Sequence, residues 1–166
     1  SALTAARELG NPYWLTYTLW IVGLAYSKAE PEQALRTWDE AMSYLDEHDV
    51  RFFEGFLARD AALLHTSDGQ LEKALSLFGT SIESFVHSGA TAQLVISLAS
   101  LPALFERLDR PSVAQTLVAA MAREEGSAHH VPGLPDLAGR LEARLCQEAA
   151  ERYAAVGAAM DVRDAA

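Results

Sequence analysis

A repeat of forty residues constrains this chain more than any other feature. The segment Leu24 to Leu35 (LAYSKAEPEQAL) recurs as Leu64 to Leu75 (LHTSDGQLEKAL) and again as Leu104 to Gln115 (LFERLDRPSVAQ). Leu24, Leu64 and Leu104 align, as do Ala34, Ala74 and Ala114, and four residues later the bulky Trp38, Phe78 and Val118. Each unit reads as an apolar-periodic helix, a polar turn carrying Glu-Pro, Asp-Gly or Arg-Pro, and a second helix. Pro and Gly in the turn stop one helix, and Pro suits the first turn of the next. A small residue near the start of the second helix lets the two helices approach. The bulky residue one turn later lies on the same face and fills the gap. Such a hairpin cannot bury its face alone, so its copies stack.

The apolar periodicity places helices near 2–9, 12–28, 31–47, 51–66, 70–87, 91–108, 111–125, 136–147 and 149–157. No stretch alternates with period two between turns, so the expected class is all-α. Residues 1–125 are expected to hold three hairpins behind a leading helix. The run Gly126 to Pro135 is the one long loop-like stretch, and 136–166 is a C-terminal piece whose Leu137, Leu141, Leu145 and Tyr153 would pack as a cap.

The units resemble tetratricopeptide (TPR) repeats. Gly23, Tyr26, Ala34 and Trp38 follow that pattern in the first unit, Ala74 and Phe78 in the second, and Pro102, Ala114 and Val118 in the third. The resemblance implies a TPR-like α-solenoid of antiparallel hairpins with a right-handed superhelix. A narrower likeness covers most of the chain. The run Ala5 to Pro12 (AARELGNP) resembles the joint between repeats in the helical tails of large bacterial regulators. Asp68 to Ala74 (DGQLEKA) resembles their turn, Arg110 to Ala120 the start of their last hairpin, and Tyr153 to Met160 their close. Those tails belong to multidomain STAND-class P-loop ATPases, found especially in actinobacteria. Many of these carry a LuxR-type DNA-binding domain and some a nucleotidyl cyclase domain. The resemblance implies a C-terminal sensor and protein-interaction module of a LuxR-type transcriptional regulator. The alternatives are the tail of a cyclase-containing regulator or a stand-alone TPR scaffold.

Composition narrows the partners. The chain carries 13 Lys+Arg against 23 Asp+Glu, a formal charge of −10. Phosphate affinity comes from clustered Lys and Arg, so direct contact with nucleic acid is not expected, nor docking on an anionic membrane. The second helices of the hairpins carry Glu32, Asp39, Glu40, Glu72 and Glu83, where a DNA-reading helix needs basic and amide side chains. No apolar run reaches the ~20 residues of a membrane helix. A single cysteine, Cys146, excludes an internal disulfide and suits a reducing cytoplasm.

No phosphate-cradling motif is present, so no cofactor is expected in this chain, and an ATP site would belong to an upstream domain. No nucleophile elbow and no His-Glu-x-x-His occur, and no enzymatic activity is expected. Cys146, in an expected helix beside Leu145, reads as a small buried or half-buried hydrophobe. His129-His130 reads as a solvated loop pair rather than metal ligands. His48, His65 and His87 stand near expected helix ends, where a cation suits the negative end of the dipole.

By the repeat alignment, the first helix of each hairpin lines a concave groove. It would show Tyr17, Trp20 and Lys28 from the first unit, Phe56 and Arg59 from the second, and Ile96 and Arg107 from the third. Cations among aromatics suit an acidic peptide or a C-terminal carboxylate. Trp14, Tyr17 and Trp20 also form a stripe at helical spacing, and such a stripe more often serves a core than a ligand box. The expected partner is a protein, a peptide or a small-molecule inducer. An uncovered apolar end would favour a homodimer.

Overall fold

The computed structural model describes residues 2–48, 51–122, 133–163 and 165–166. Among these residues the chain is all-helical, with nine α-helices and no strand. They are α1 (Ala2–Leu9), α2 (Pro12–Tyr26), α3 (Pro31–His48), α4 (Glu54–Ser67), α5 (Leu71–Ser88), α6 (Thr91–Arg107), α7 (Pro111–Met121), α8 (Leu134–Arg144) and α9 (Gln147–Ala159).

Local chemistry sets the boundaries. Asn11 caps α2, its side-chain oxygen accepting from the Tyr13 amide at 3.0 Å and the Trp14 amide at 3.3 Å, with Pro12 in the first turn. Pro31 and Pro111 open α3 and α7 in the same way. Gly89 ends α5 at φ 69°, a left-handed conformation that side chains resist. Residues 51–53 form a turn rather than the first turn of α4, and that turn drops Phe53 into the core. The helix expected over 136–147 begins at Leu134 and ends at Arg144, because Leu145 and Cys146 are extended. Cys146 precedes α9 and is exposed, so the expectation of a buried hydrophobe there is wrong. The last residues expected in the seventh helix, 123–125, lie outside the described residues, as do His129 and His130.

Helices adjacent in sequence pair: α2 with α3, α4 with α5 and α6 with α7. Each pair also touches the next, α3 against α4 and α5 against α6. The three small positions of the repeat, Ala34, Ala74 and Ala114, are each 0% exposed. Trp38, Phe78 and Val118 are buried beside them. Ala74→Leu would place a branched side chain at one of these contacts. A loss of ~1–3 kcal/mol is expected, read by urea unfolding; an unchanged midpoint would mean that α4 and α5 do not meet there.

The C-terminal helices cover the far end. α8 sends Leu137 and Leu141 into a cluster with Ala114 and Val118. Its Arg140 forks onto the Glu106 carboxylate of α6 at 3.1 and 2.9 Å. α9 lies along α7 so closely that a Cβ on Gly157 would sit 2.0 Å from the Thr116 carbonyl oxygen. Leu145 and Tyr153, expected in the same cap, are half-buried.

Candidate functional site

Side chains of α2 and of the segment that opens α4 meet in a continuous aromatic wall. Tyr13 is four residues from Tyr17, and Trp14, Tyr17 and Trp20 are spaced by three, so these rings fall on one side of α2. Tyr17 approaches Trp20 at 6.1 Å and Phe53 at 5.9 Å between ring centroids. Trp20 lies 5.2 Å from Phe56, and Phe56 meets Phe85 of α5 edge-on at 5.1 Å. The wall is exposed at Tyr13, Trp14, Tyr17 and Phe52 and closed at Phe53.

Behind the wall lies a polar network. Trp20 Nε1 donates to Asp60 Oδ2 at 2.7 Å, and Arg59 Nε donates to Asp60 Oδ1 at 3.0 Å. Arg59 Nη1 reaches Gln93 Oε1 of α6 at 2.9 Å, and the guanidinium lies 5.6 Å from the Phe56 ring centroid. Arg59 and Asp60 are both buried. A charge removed from water needs a partner and full hydrogen bonding, and here one carboxylate serves two donors. The network thus pins α2, α4 and α6 together through their side chains.

Of the residues expected to line a groove, Tyr17, Trp20, Phe56 and Arg59 come together here. Arg59 is turned inward and neutralised by Asp60, while Ile96 is half-buried on α6. Lys28 and Arg107 are exposed at the turn ends of their hairpins, Arg107 close to the turn at Gly69. Sequence reasoning missed Asp60 and Gln93. Asp60 had a signal: it lies 40 residues from Trp20, one repeat on, so the two occupy equivalent places on neighbouring hairpins.

Beside Phe56 the surface forms a concavity of about 770 Å³. Phe52, Phe56 and Phe85 line it together with Arg51, Glu83 and His87. A second concavity of about 430 Å³, lined by Phe78, Ile82, Leu101, Phe105 and Met160, is apolar.

His65 does not act as a helix-end cation. It is 3% exposed, and its Nδ1 has no hydrogen-bond partner among the described residues. Burial pushes its pKa below the usual 6.5, Lys73 adds to that shift, and Asp39 and Asp68 oppose it. Burial thus favours the neutral imidazole over the exposed cation that a helix-end role would use. Unfolding frees it to take up a proton below its ordinary pKa. Stability from this group is thus full above about pH 6.5 and falls as pH drops toward the lower folded value. His65→Phe, with the aromatic found one repeat on at Phe105, should flatten the melting temperature between pH 7.5 and 5.5. A slope in the variant equal to that of the parent would assign the pH dependence elsewhere. His48 stacks on Tyr44 at 4.0 Å, with its Nδ1 3.0 Å from the Tyr44 carbonyl oxygen, as suits a helix end. His87 is exposed in the last turn of α5.

The Arg140 hydrogen bond to Glu106 holds that carboxyl below its usual range, against the opposing effect of its partial burial. Among the described residues no three His, Cys, Asp or Glu side chains gather as a metal site would require. No described helix is long and apolar enough to cross a membrane. No protein-family model, no curated protein and no solved structure matches the chain.

Proposed function

We propose that this chain is a protein-interaction and sensor module built as a TPR-like solenoid, the C-terminal regulatory part of a multidomain signalling ATPase of the LuxR type. The observation that carries this reading is the agreement between repeat and packing. At the two aligned positions of the second helices, Ala34, Ala74 and Ala114 have no exposed surface and Trp38, Phe78 and Val118 are buried in successive hairpins. Arrays of this kind serve as binding surfaces, because each hairpin adds one more strip to a continuous face. The aromatic wall of Tyr17, Trp20 and Phe56 opens onto the concavity at Phe52 and Phe85 and supplies that strip. Its occupant is a protein, a peptide or a small-molecule inducer presenting an apolar group to the rings. Binding there shifts the ATPase between closed and open states, and the module itself carries out no chemistry.

The test is the size of the natural polypeptide, read by immunoblot of source cells with antibody against this chain. A band several times heavier than 18.0 kDa is expected. A band at 18.0 kDa would overturn the regulator reading in favour of a small free-standing adaptor.

A further inference from the structure

Helix α2 exposes a face that its counterparts bury. By the repeat, Tyr17, Ile21 and Leu24 of α2 correspond to Leu57, Ala61 and Leu64 of α4 and to Ser97, Leu101 and Leu104 of α6. On α4, Leu57 and Ala61 are 0% and 9% exposed, in one cluster with Trp38, Ala41 and Leu45 of the preceding α3, and Leu64 is half-buried against it. On α6, Ser97, Leu101 and Leu104 are 0%, 6% and 0% exposed, in contact with the preceding α5. In both cases the second helix of one hairpin covers the first helix of the next. On α2 the same positions are 38%, 42% and 38% exposed. None of the 15 residues of α2 is charged, and Ile21 and Leu24 on this face are purely apolar.

Part of the missing cover is already in place. α1 packs on α2, and it ends as α5 does: Gly10 and Gly89 are both left-handed, and Ala6 is buried where Phe85 is buried. α1 therefore corresponds to the last eight residues of an eighteen-residue helix like α5. The register follows from α5 and α6, where Ser81 meets Ser97 with the hydroxyl oxygens 3.0 Å apart. Aligning Gly89 with Gly10 puts Ser81 on Ala2, and two repeats back Ser97 falls on Tyr17. Ala2 thus stands level with Tyr17, while Ile21 and Leu24 lie past the reach of α1.

We propose that the Ile21–Leu24 face of α2, beyond the Tyr17 ring that turns onto Trp20 and Phe53, is the seat of a longer second helix, continuous with α1 and running antiparallel to α2 for about three further turns. Its inner side is apolar, as that of α3 is at Trp38, Ala41 and Leu45 where it meets the next hairpin. The proposal rests on the reading of the chain as one stretch of a longer repeat protein. It is tested by a property of these residues that the immunoblot does not measure.

The experiment lengthens α1 by placing the ten-residue sequence of Leu71–Thr80 ahead of Ala2, in the register that Gly10 and Gly89 define. Ile21→Asp and the milder, still β-branched Ile21→Thr are made in the chain as it stands and in the lengthened chain. Melting temperatures are compared at matched concentration. In the chain as it stands, Ile21 is an exposed residue, and Ile21→Asp is expected to move the midpoint by about 1 °C or less. In the lengthened chain the same change buries a carboxylate, and a fall of about 5 °C or more is expected, with a smaller fall for Ile21→Thr. Equal effects in the two chains would overturn the proposal. So would sedimentation showing that the unextended chain is a dimer which Ile21→Asp dissociates, since a second copy would then own the face. Failure by either route leaves the size of the natural polypeptide untouched, so it is distinct from failure of the regulator reading.

Discussion

Trp38→Ala is expected to cost ~3–5 kcal/mol, the largest loss from any single truncation in the first hairpin. Trp38 is 2% exposed and lies against the backbone of α2, its Nε1 donating to the Trp20 carbonyl oxygen at 3.2 Å. The ring fits there because position 23 has no side chain. A Cβ on Gly23 would stand 2.1 Å from the indole nitrogen and 2.5 Å from Cδ1. Gly23→Ala therefore forces the same ring out of its seat and is expected to cost ~1–3 kcal/mol or more by overpacking. The two changes act on one contact, so their costs will not add. In the double variant the methyl introduced by Gly23→Ala enters space that the indole has left, and the loss should fall well short of the sum. Urea unfolding of the four proteins gives the coupling. Strict additivity would show that Trp38 and Gly23 do not meet, and the helix pairing drawn from the repeat would fail with them.

Asp60→Ala is expected to be as damaging, for an electrostatic reason. It strips the buried Arg59 guanidinium of its ion-pair partner and takes away the carboxylate that accepts from Trp20 Nε1. Breaking one side of a buried pair costs ~3–5 kcal/mol, because the remaining charge stays desolvated. Arg59→Leu, with the residue that occupies the equivalent place at Leu19, removes that charge. It should recover most of the loss when combined with Asp60→Ala. If Asp60→Ala melts within about 1 °C of the parent, the guanidinium has found water, and the network does not hold α2, α4 and α6 together. Trp20 fluorescence follows the same change, since the indole loses its carboxylate.

Some elements were legible because their signals are local. Pro12, Pro31 and Pro111 open helices, Gly89 ends one, and the spacing of Ala34, Ala74 and Ala114 marks where helices touch. Other residues were misread because their fate depends on how a helix is turned about its axis. A shift of one position rotates a side chain by about 100°. The first helices of the hairpins are covered on more than one side, so their apolar pattern does not say which polar residues face inward. His65 and Arg59 read as end-cap and groove cation, yet both are buried. Cys146 read as a small buried or half-buried hydrophobe within a helix, yet the extended residues between α8 and α9 leave it exposed.

By itself the sequence determined an all-helical chain, the order of its hairpins, and the small and bulky positions at which paired helices meet. Those follow from turn chemistry and from a repeat that makes each unit bury the same face. Only the tertiary structure decided that Trp20 and Asp60, a full repeat apart, share a hydrogen bond, that Arg59 is spent inside the fold, and that Ile21 and Leu24 lie open where Leu101 and Leu104 are closed. These depend on which helix stands beside which and at what rotation, quantities set by the packing of the whole set and by no single segment.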